Sequence, residues 1–149
     1  MKTKTHTSNS ARALKLNRIL VPTDFSRNAA QALRYAVPLA RQVGGQIVLL
    51  HVVEWPVVPS ELGVIASNET KVVEAAKPTL DLLARRQVPE ELLERTVVRI
   101  GRAPPEISRA AQGLKIDMIV VSTKGRTGLR RALLGSTAQR IVRHAPCPV

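Results

Sequence analysis

Towards the carboxyl end, the aliphatic run Ile119-Val120-Val121 breaks into Ser122-Thr123-Lys124-Gly125-Arg126, and further on Gly135-Ser136-Thr137 opens a helical pattern. Residues of these types bind anions. Glycine lets a backbone approach a ligand closely, hydroxyls donate hydrogen bonds, and the first N–H groups of a helix are unpaired and carry partial positive charge. Lys124 and Arg126 add attraction for a phosphate, while Val121 and Ser122 stand where the strand ends. A second loop with usable chemistry, Pro22-Thr23-Asp24, follows an apolar run near the amino end. Asp24 can cap the next helix or order its turn through Phe25 and Ser26, and either role is compatible with meeting a ligand.

Other chemistries find less support. Neither G-x4-G-K-[ST] nor G-x-G-x-x-G occurs, and G-x-x-G at Gly125 and Gly128 is by itself weak. His51 closes an apolar run with no serine and acid arranged near it, so it reads as a hydrogen-bonded structural histidine. His144 falls at a helix end and His6 in the amino-terminal tail, and no metal-ligand spacing emerges. Cys147, the only cysteine, excludes an intramolecular disulfide and reads as a small buried residue. Met118 reads as core, and Trp55 as a loop anchor.

The elements that must position these loops alternate in type. Strands are expected over Arg18–Val21, Gln46–Val53, Arg95–Ile100 and Ile116–Val121, with helical spacing between them. Ala29, Ala32, Leu33, Ala36, Val37 and Ala40 share one helix face; Gly44 and Gly45 end that helix. Residues 55–68, with Pro56, Pro59 and Gly63, read as a loop. A helix follows over Glu69–Arg86, and another over about Pro104–Gln112, started by prolines that a first turn tolerates. Pro38 and Pro78 lie inside helical patterns and predict kinks or early helix ends. Alternating strands and helices make an α/β fold with an open parallel sheet. Ligands of such sheets bind beyond the carboxyl ends of the strands, where the connection order reverses.

A length of 149 residues suits one domain with a real core. The formal net charge of +12 is concentrated in two places. Lys2, Lys4, Arg12, Lys15 and Arg18 lie in or beside a Thr/Ser/Asn-rich amino terminus, so residues 1–15 are expected to be a disordered basic tail and 16–149 the folded domain. Lys124, Arg126, Arg130, Arg131, Arg140 and Arg143 surround the carboxyl-terminal loop, with no acidic residue after Asp117. No apolar run approaches the roughly 20 residues of a membrane span, and the amino terminus lacks the apolar core of a secretory signal, which predicts a cytoplasmic protein.

Taken together, these segments resemble the universal stress protein family over nearly all of Leu16–Val149. The ATP-binding members carry G-x2-G-x9-G-[ST], which maps onto Ser122, Gly125, Gly135 and Ser136, with serine at the first glycine position. Pro22-Thr23-Asp24-Phe25-Ser26, Leu50-His51-Val52 and Arg143-His144-Ala145-Pro146-Cys147-Pro148-Val149 are also family-like. The resemblance implies a Rossmann-like sheet of the adenine nucleotide alpha-hydrolase-like kind, helices on both faces, strand order 3-2-1-4 and a truncated fifth strand. It further implies bound ATP, or AMP or ADP, with Mg2+ accompanying the phosphates. Pro22, Thr23, Asp24 and the backbone near Val52 would take the adenosine side. Val121 and Ser122 would line the nucleotide, Gly125, Gly135, Ser136 and Thr137 would contact phosphate or ribose, and Lys124 and Arg126 would attract phosphate. Ser122 is small enough to keep a strand-like φ, so nucleotide binding is expected to survive the replacement.

Three functions follow. The leading one is a regulatory adenine-nucleotide binder of the stress response, acting through an unidentified protein partner. Slow ATP hydrolysis ranks lower because no general base is legible. Nucleic-acid binding by the basic surface is disfavoured by the shortage of stacking residues, with only Phe25, Tyr35 and Trp55 aromatic. Because the family continues into a fifth strand beyond the position of Val149, the expectation for assembly is an uncovered flank beside the fourth strand. A monomer exchanging with a weak or altered homodimer would follow.

Overall fold

The computed structural model describes residues 15–54, 66–123 and 135–149. Its elements run β1 (Arg18–Thr23), α1 (Arg27–Val43), β2 (Gln46–Val53), α2 (Ala66–Gln87), a 3-10 turn (Glu90–Leu92), β3 (Leu93–Ile100), α3 (Ala103–Gly113), β4 (Met118–Ile119) and α4 (Ser136–His144). The strands form one parallel sheet in the order β3-β2-β1-β4, as expected. The basic tail and the loop after Glu54 lie outside the described residues, except that α2 already begins at Ala66.

Both faces of β1 and β2 are covered, which explains their almost unbroken apolar character. Successive side chains alternate across the sheet. Ile19, Val21, Ile47 and Leu49 pack on one face with Ala32, Leu33, Ala36 and Ala40 of α1 and Leu80 and Ala84 of α2. Leu20, Val48, Leu50 and Ile119 pack on the other face with Ile107, Ala110 and Ala111 of α3 and Ile141 of α4. The alanines of α1 and α3 let the helix axes lie close to the sheet, so backbone spacing as well as burial depends on them.

α1 begins where the Ser26 hydroxyl accepts the Ala29 N–H (3.1 Å) and ends at Gly44, whose φ of 68° is the left-handed conformation that glycine adopts without steric cost. Neither Pro38 nor Pro78 ends its helix, so of the two expected outcomes an early helix end is not what the structure shows. Both prolines are exposed. The carbonyls they leave unpaired one turn earlier therefore face water, which supplies the missing partner.

β4 is shorter than expected: regular pairing with β1 is confined to Met118–Ile119. Single hydrogen bonds extend it, from Asp117 N–H to Arg18 C=O (3.0 Å) and from Val120 N–H to Leu20 C=O (2.9 Å). Met118 is half-buried rather than core. The flank of β4 away from β1 is also not bare, which corrects a second expectation. There Ile119 N–H donates to Pro148 C=O at 2.9 Å. A backbone donor pointing away from β1 needs an acceptor, and the terminal residues fold back to provide one.

Candidate functional site

Connections leave β1 towards opposite sides of the sheet, α1 returning to β2 and the chain reaching β4 only after α3. The loops after β1 and β4 therefore part at their carboxyl ends, and a cavity of about 570 Å³ opens there. It is lined by Pro22, Thr23 and Asp24 after β1, by Val52 on β2, by Val121 and Ser122 after β4, and by Gly135, Ser136 and Thr137 at the start of α4. Nine residues singled out from the sequence thus meet around one space. Lys124, Gly125 and Arg126 lie outside the described residues.

The floor after β1 is a tight turn with its own hydrogen bonds. Phe25 N–H donates to Thr23 Oγ1 (3.1 Å), and Ser26 N–H to Asp24 Oδ1 (3.0 Å). Asp24 therefore orders the turn while Ser26 caps α1. Phe25 sits at φ 62°, an uncommon conformation for a residue with a side chain, and such departures concentrate at functional turns. Its ring lies against that of His51, with centroids 4.3 Å apart. His51 Nδ1 is 2.8 Å from Thr23 C=O, and since a carbonyl only accepts, Nδ1 carries the proton. The expected structural role of His51 holds, yet the residue also lines the cavity.

The wall after β4 turns on Gly135. Its N–H donates to Thr123 C=O (2.8 Å), and a Cβ there would stand 2.9 Å from the same oxygen. Only glycine brings the start of α4 this close to the end of β4. Beyond it, the first helical bond of α4 runs from Gln139 N–H to Gly135 C=O (2.9 Å), and no side chain caps the helix. The Ser136, Thr137 and Ala138 N–H groups precede that bond, and all three residues line the cavity. Ser122, at the first glycine position of the motif, has no positive φ. Its Cβ is accommodated without strain.

Sequence reading missed the contribution of α3. Ala103 and Ile107 line the cavity, as do Glu54 and Ile141. Glu54 carried a faint signal, a charge directly after the buried run of β2. Nothing in the pattern of α3 told which strand ends it faces. Among the described residues, no group of three or more His, Cys, Asp or Glu side chains could hold a metal ion.

Site and sheet together define an α/β protein with a ligand crevice at its strand-order reversal. The model of the universal stress protein family matches residues 15–149. A universal stress protein of Methanocaldococcus jannaschii, MJ0531, is 30% identical over 138 residues, covering 89% of this chain and 79% of the relative. One from Thermus aquaticus is 33% identical over 134 residues, covering 88% and 94%. The solved structure of MJ0577 superimposes with a TM-score of 0.76 at 25% identity, covering 91% of this chain and 94% of that one. The chain belongs to the universal stress protein family.

Proposed function

We propose that this protein is a regulatory adenine-nucleotide binder of the stress response, holding ATP with Mg2+ in the crevice between β1 and β4 and signalling its occupancy to a protein partner. The observation that carries the reading is the unlike ends of the cavity. At one end the N–H groups of Ser136, Thr137 and Ala138 stand ready for an anion, beside the Ser136 and Thr137 hydroxyls. At the other, Leu50, Val52, Ala103 and Ile107 form an apolar wall. A nucleotide has the same polarity, and about 570 Å³ falls within the range of roughly 300–1,000 Å³ usual for small-molecule sites. Universal stress proteins of this fold have been solved in complex with cAMP and, from Archaeoglobus fulgidus, with dAMP; at 18% and 19% identity they share the fold with this chain.

Pro22, Thr23, Asp24 and Val52 would take the adenosine side. Val121 and Ser122 would line the nucleotide, while Gly135, Ser136 and Thr137, joined by Lys124, Gly125 and Arg126, would hold the phosphates. Mg2+ would draw most of its ligands from the phosphates and water, its common arrangement in nucleotide sites. Binding without rapid turnover is favoured because the acids at the cavity have structural duties. Asp24 Oδ1 holds the Ser26 N–H, and Glu54 Oε1 accepts from Ala103 N–H at 3.1 Å.

Thermal unfolding with millimolar ATP and Mg2+ tests the reading. Saturation at about 100 times Kd adds about 2.7 kcal/mol of stability and a matching rise in Tm. Ser136→Asp abolishes the rise, because it sets a carboxylate against the phosphates. The variant stays folded, since Ser136 is exposed and an acid in the first turn suits the helix dipole. No rise in the natural protein, together with no heat of binding, would refute nucleotide binding; an undiminished rise in Ser136→Asp would refute the placement of the phosphates.

A further inference from the structure

We infer that the outer edge of β3, with the groove between it and α2, docks an acidic extended segment of a protein partner, which adds to the sheet as a further strand. The inference gives the partner proposed above a place and a chemistry. No residue of β3 lines the nucleotide cavity, so the docking is tested without nucleotide.

β3 stands at one end of the sheet and pairs with β2 alone. Just beyond it Gly101 N–H donates to Val53 C=O (3.0 Å), and because N–H directions alternate along a strand, those of Thr96, Val98 and Ile100 point away from the sheet. None of the three has a hydrogen-bond partner among the described residues. An edge of eight residues with an open row of donors and acceptors is a template for another strand.

The side chains along the edge select which strand. Register with Val48, Leu50 and Val52 sets Arg95, Val97 and Arg99 on one face. Both arginines are exposed, and Arg99 makes no ion pair among the described residues. Along the same edge a groove of about 350 Å³ is lined by Lys77, Arg85 and Arg95, with Asp81 as its one acid. The acids nearby are committed within the protein, Asp81 to Lys77 and Thr96, and Glu94 to Arg18 (2.8 Å) and Arg95 (3.0 Å). Positive charge therefore dominates the edge. Two copies pairing antiparallel about Val97 would set Arg95 against Arg99, and like charges directly opposite destabilise a sheet. A segment with acid, apolar and acid side chains at alternate positions meets arginine, valine and arginine instead, and each pair then attracts.

Fluorescence polarisation of the full chain with a short labelled peptide that repeats glutamate, threonine, valine, threonine tests the docking. It is expected to bind at least about tenfold more tightly than its counterpart with lysine for glutamate, since reversing the charge turns attraction into repulsion. N-methylation separates strand addition from plain charge attraction. Methylating one alternate row of peptide amides, the row that faces β3, abolishes binding, while methylating the other row, which faces solvent, leaves it. Val98→Pro abolishes it too, and because a proline is tolerated where an edge N–H faces outward, the far-ultraviolet circular dichroism is retained. If that variant fails to fold, Arg99→Glu carries the same test: it weakens binding of the acidic peptide several-fold and strengthens that of the lysine peptide. Equal binding of the two methylated peptides overturns the inference, as does an Arg99→Glu variant that binds both charge forms as the natural protein does. No binding of the acidic peptide overturns it outright. Self-association in sedimentation that Val98→Pro removes would give the edge to a second copy and overturn it as well. The ATP-induced rise in Tm is read separately, so each of these failures leaves the nucleotide reading standing.

Discussion

Phe25 and Cys147 show how single residues report on their surroundings. A left-handed backbone at Phe25 costs about 1 kcal/mol, and the Thr23 hydroxyl and the His51 ring hold it in place. The result is a turn that keeps Thr23 and Asp24 facing the cavity. Cys147 is half-buried beside β4, where burial pushes its thiol above the ordinary range and the negative charge of Asp117 adds to the effect. The thiolate is the nucleophile, so a raised value leaves less of it at neutral pH. Alkylation of the folded protein by iodoacetamide at pH 7.5 should be several times slower than that of the same protein in denaturant; equal rates would show the thiol to be an ordinary, accessible one.

Between elements, single side chains serve as ties. Asp117 Oδ2 accepts from Asn17 N–H (2.8 Å) and Arg18 N–H (2.9 Å), joining the approach to β4 with the start of β1 where the regular ladder is short. Asp81 ties α2 to the edge strand β3. Its carboxylate accepts Lys77 Nζ at 2.6 and 2.8 Å and the Thr96 hydroxyl. The Lys77 bond, followed by that of Thr96, holds its carboxyl below the usual range. A depressed value in the folded state means that the stabilisation is present above the ordinary carboxylate value near 4 and is lost as pH falls through the lower folded value. With a side chain 35% exposed, the tie contributes at most about 1 kcal/mol. Asp81→Asn should therefore lower Tm slightly at pH 7, with the gap to the natural protein narrowing as pH falls below the ordinary carboxylate value near 4. A gap that stays constant down to pH 2 would show that the ionised form is not what stabilises.

For the molecule as a whole, the charge of +12 is what would favour a polyanion over the proposed nucleotide. No helix among the described residues is long and apolar enough to cross a membrane. General attraction for nucleic acid is driven by counterion release and falls steeply with salt, whereas a nucleotide enclosed by backbone N–H groups depends on salt much less. Raising salt from about 0.05 to about 0.2 M should release any bound DNA or RNA while the ATP-induced rise in Tm persists. Nucleic acid that stays bound while the ATP effect disappears would reverse the order of the two readings.

By itself, the sequence determined the strands, the sheet order through its family resemblance, and nine of the residues that surround the cavity, because local patterns encode them. Buried parallel strands need unbroken aliphatic runs, a helix start needs Ser26, and a close backbone approach needs Gly135. What tertiary structure decided depends on which surfaces meet. Pro38 and Pro78 are tolerated because their open carbonyls face water, a matter of helix orientation that periodicity does not rank against the cost of proline. Pro148 satisfies Ile119 across a separation of 29 residues. α3 brings Ala103 and Ile107 to the cavity, and with them the capped first turn that gives Glu54 its place. No local pattern could announce that contact, since it exists only once the crossover from β3 to β4 has laid α3 across the sheet.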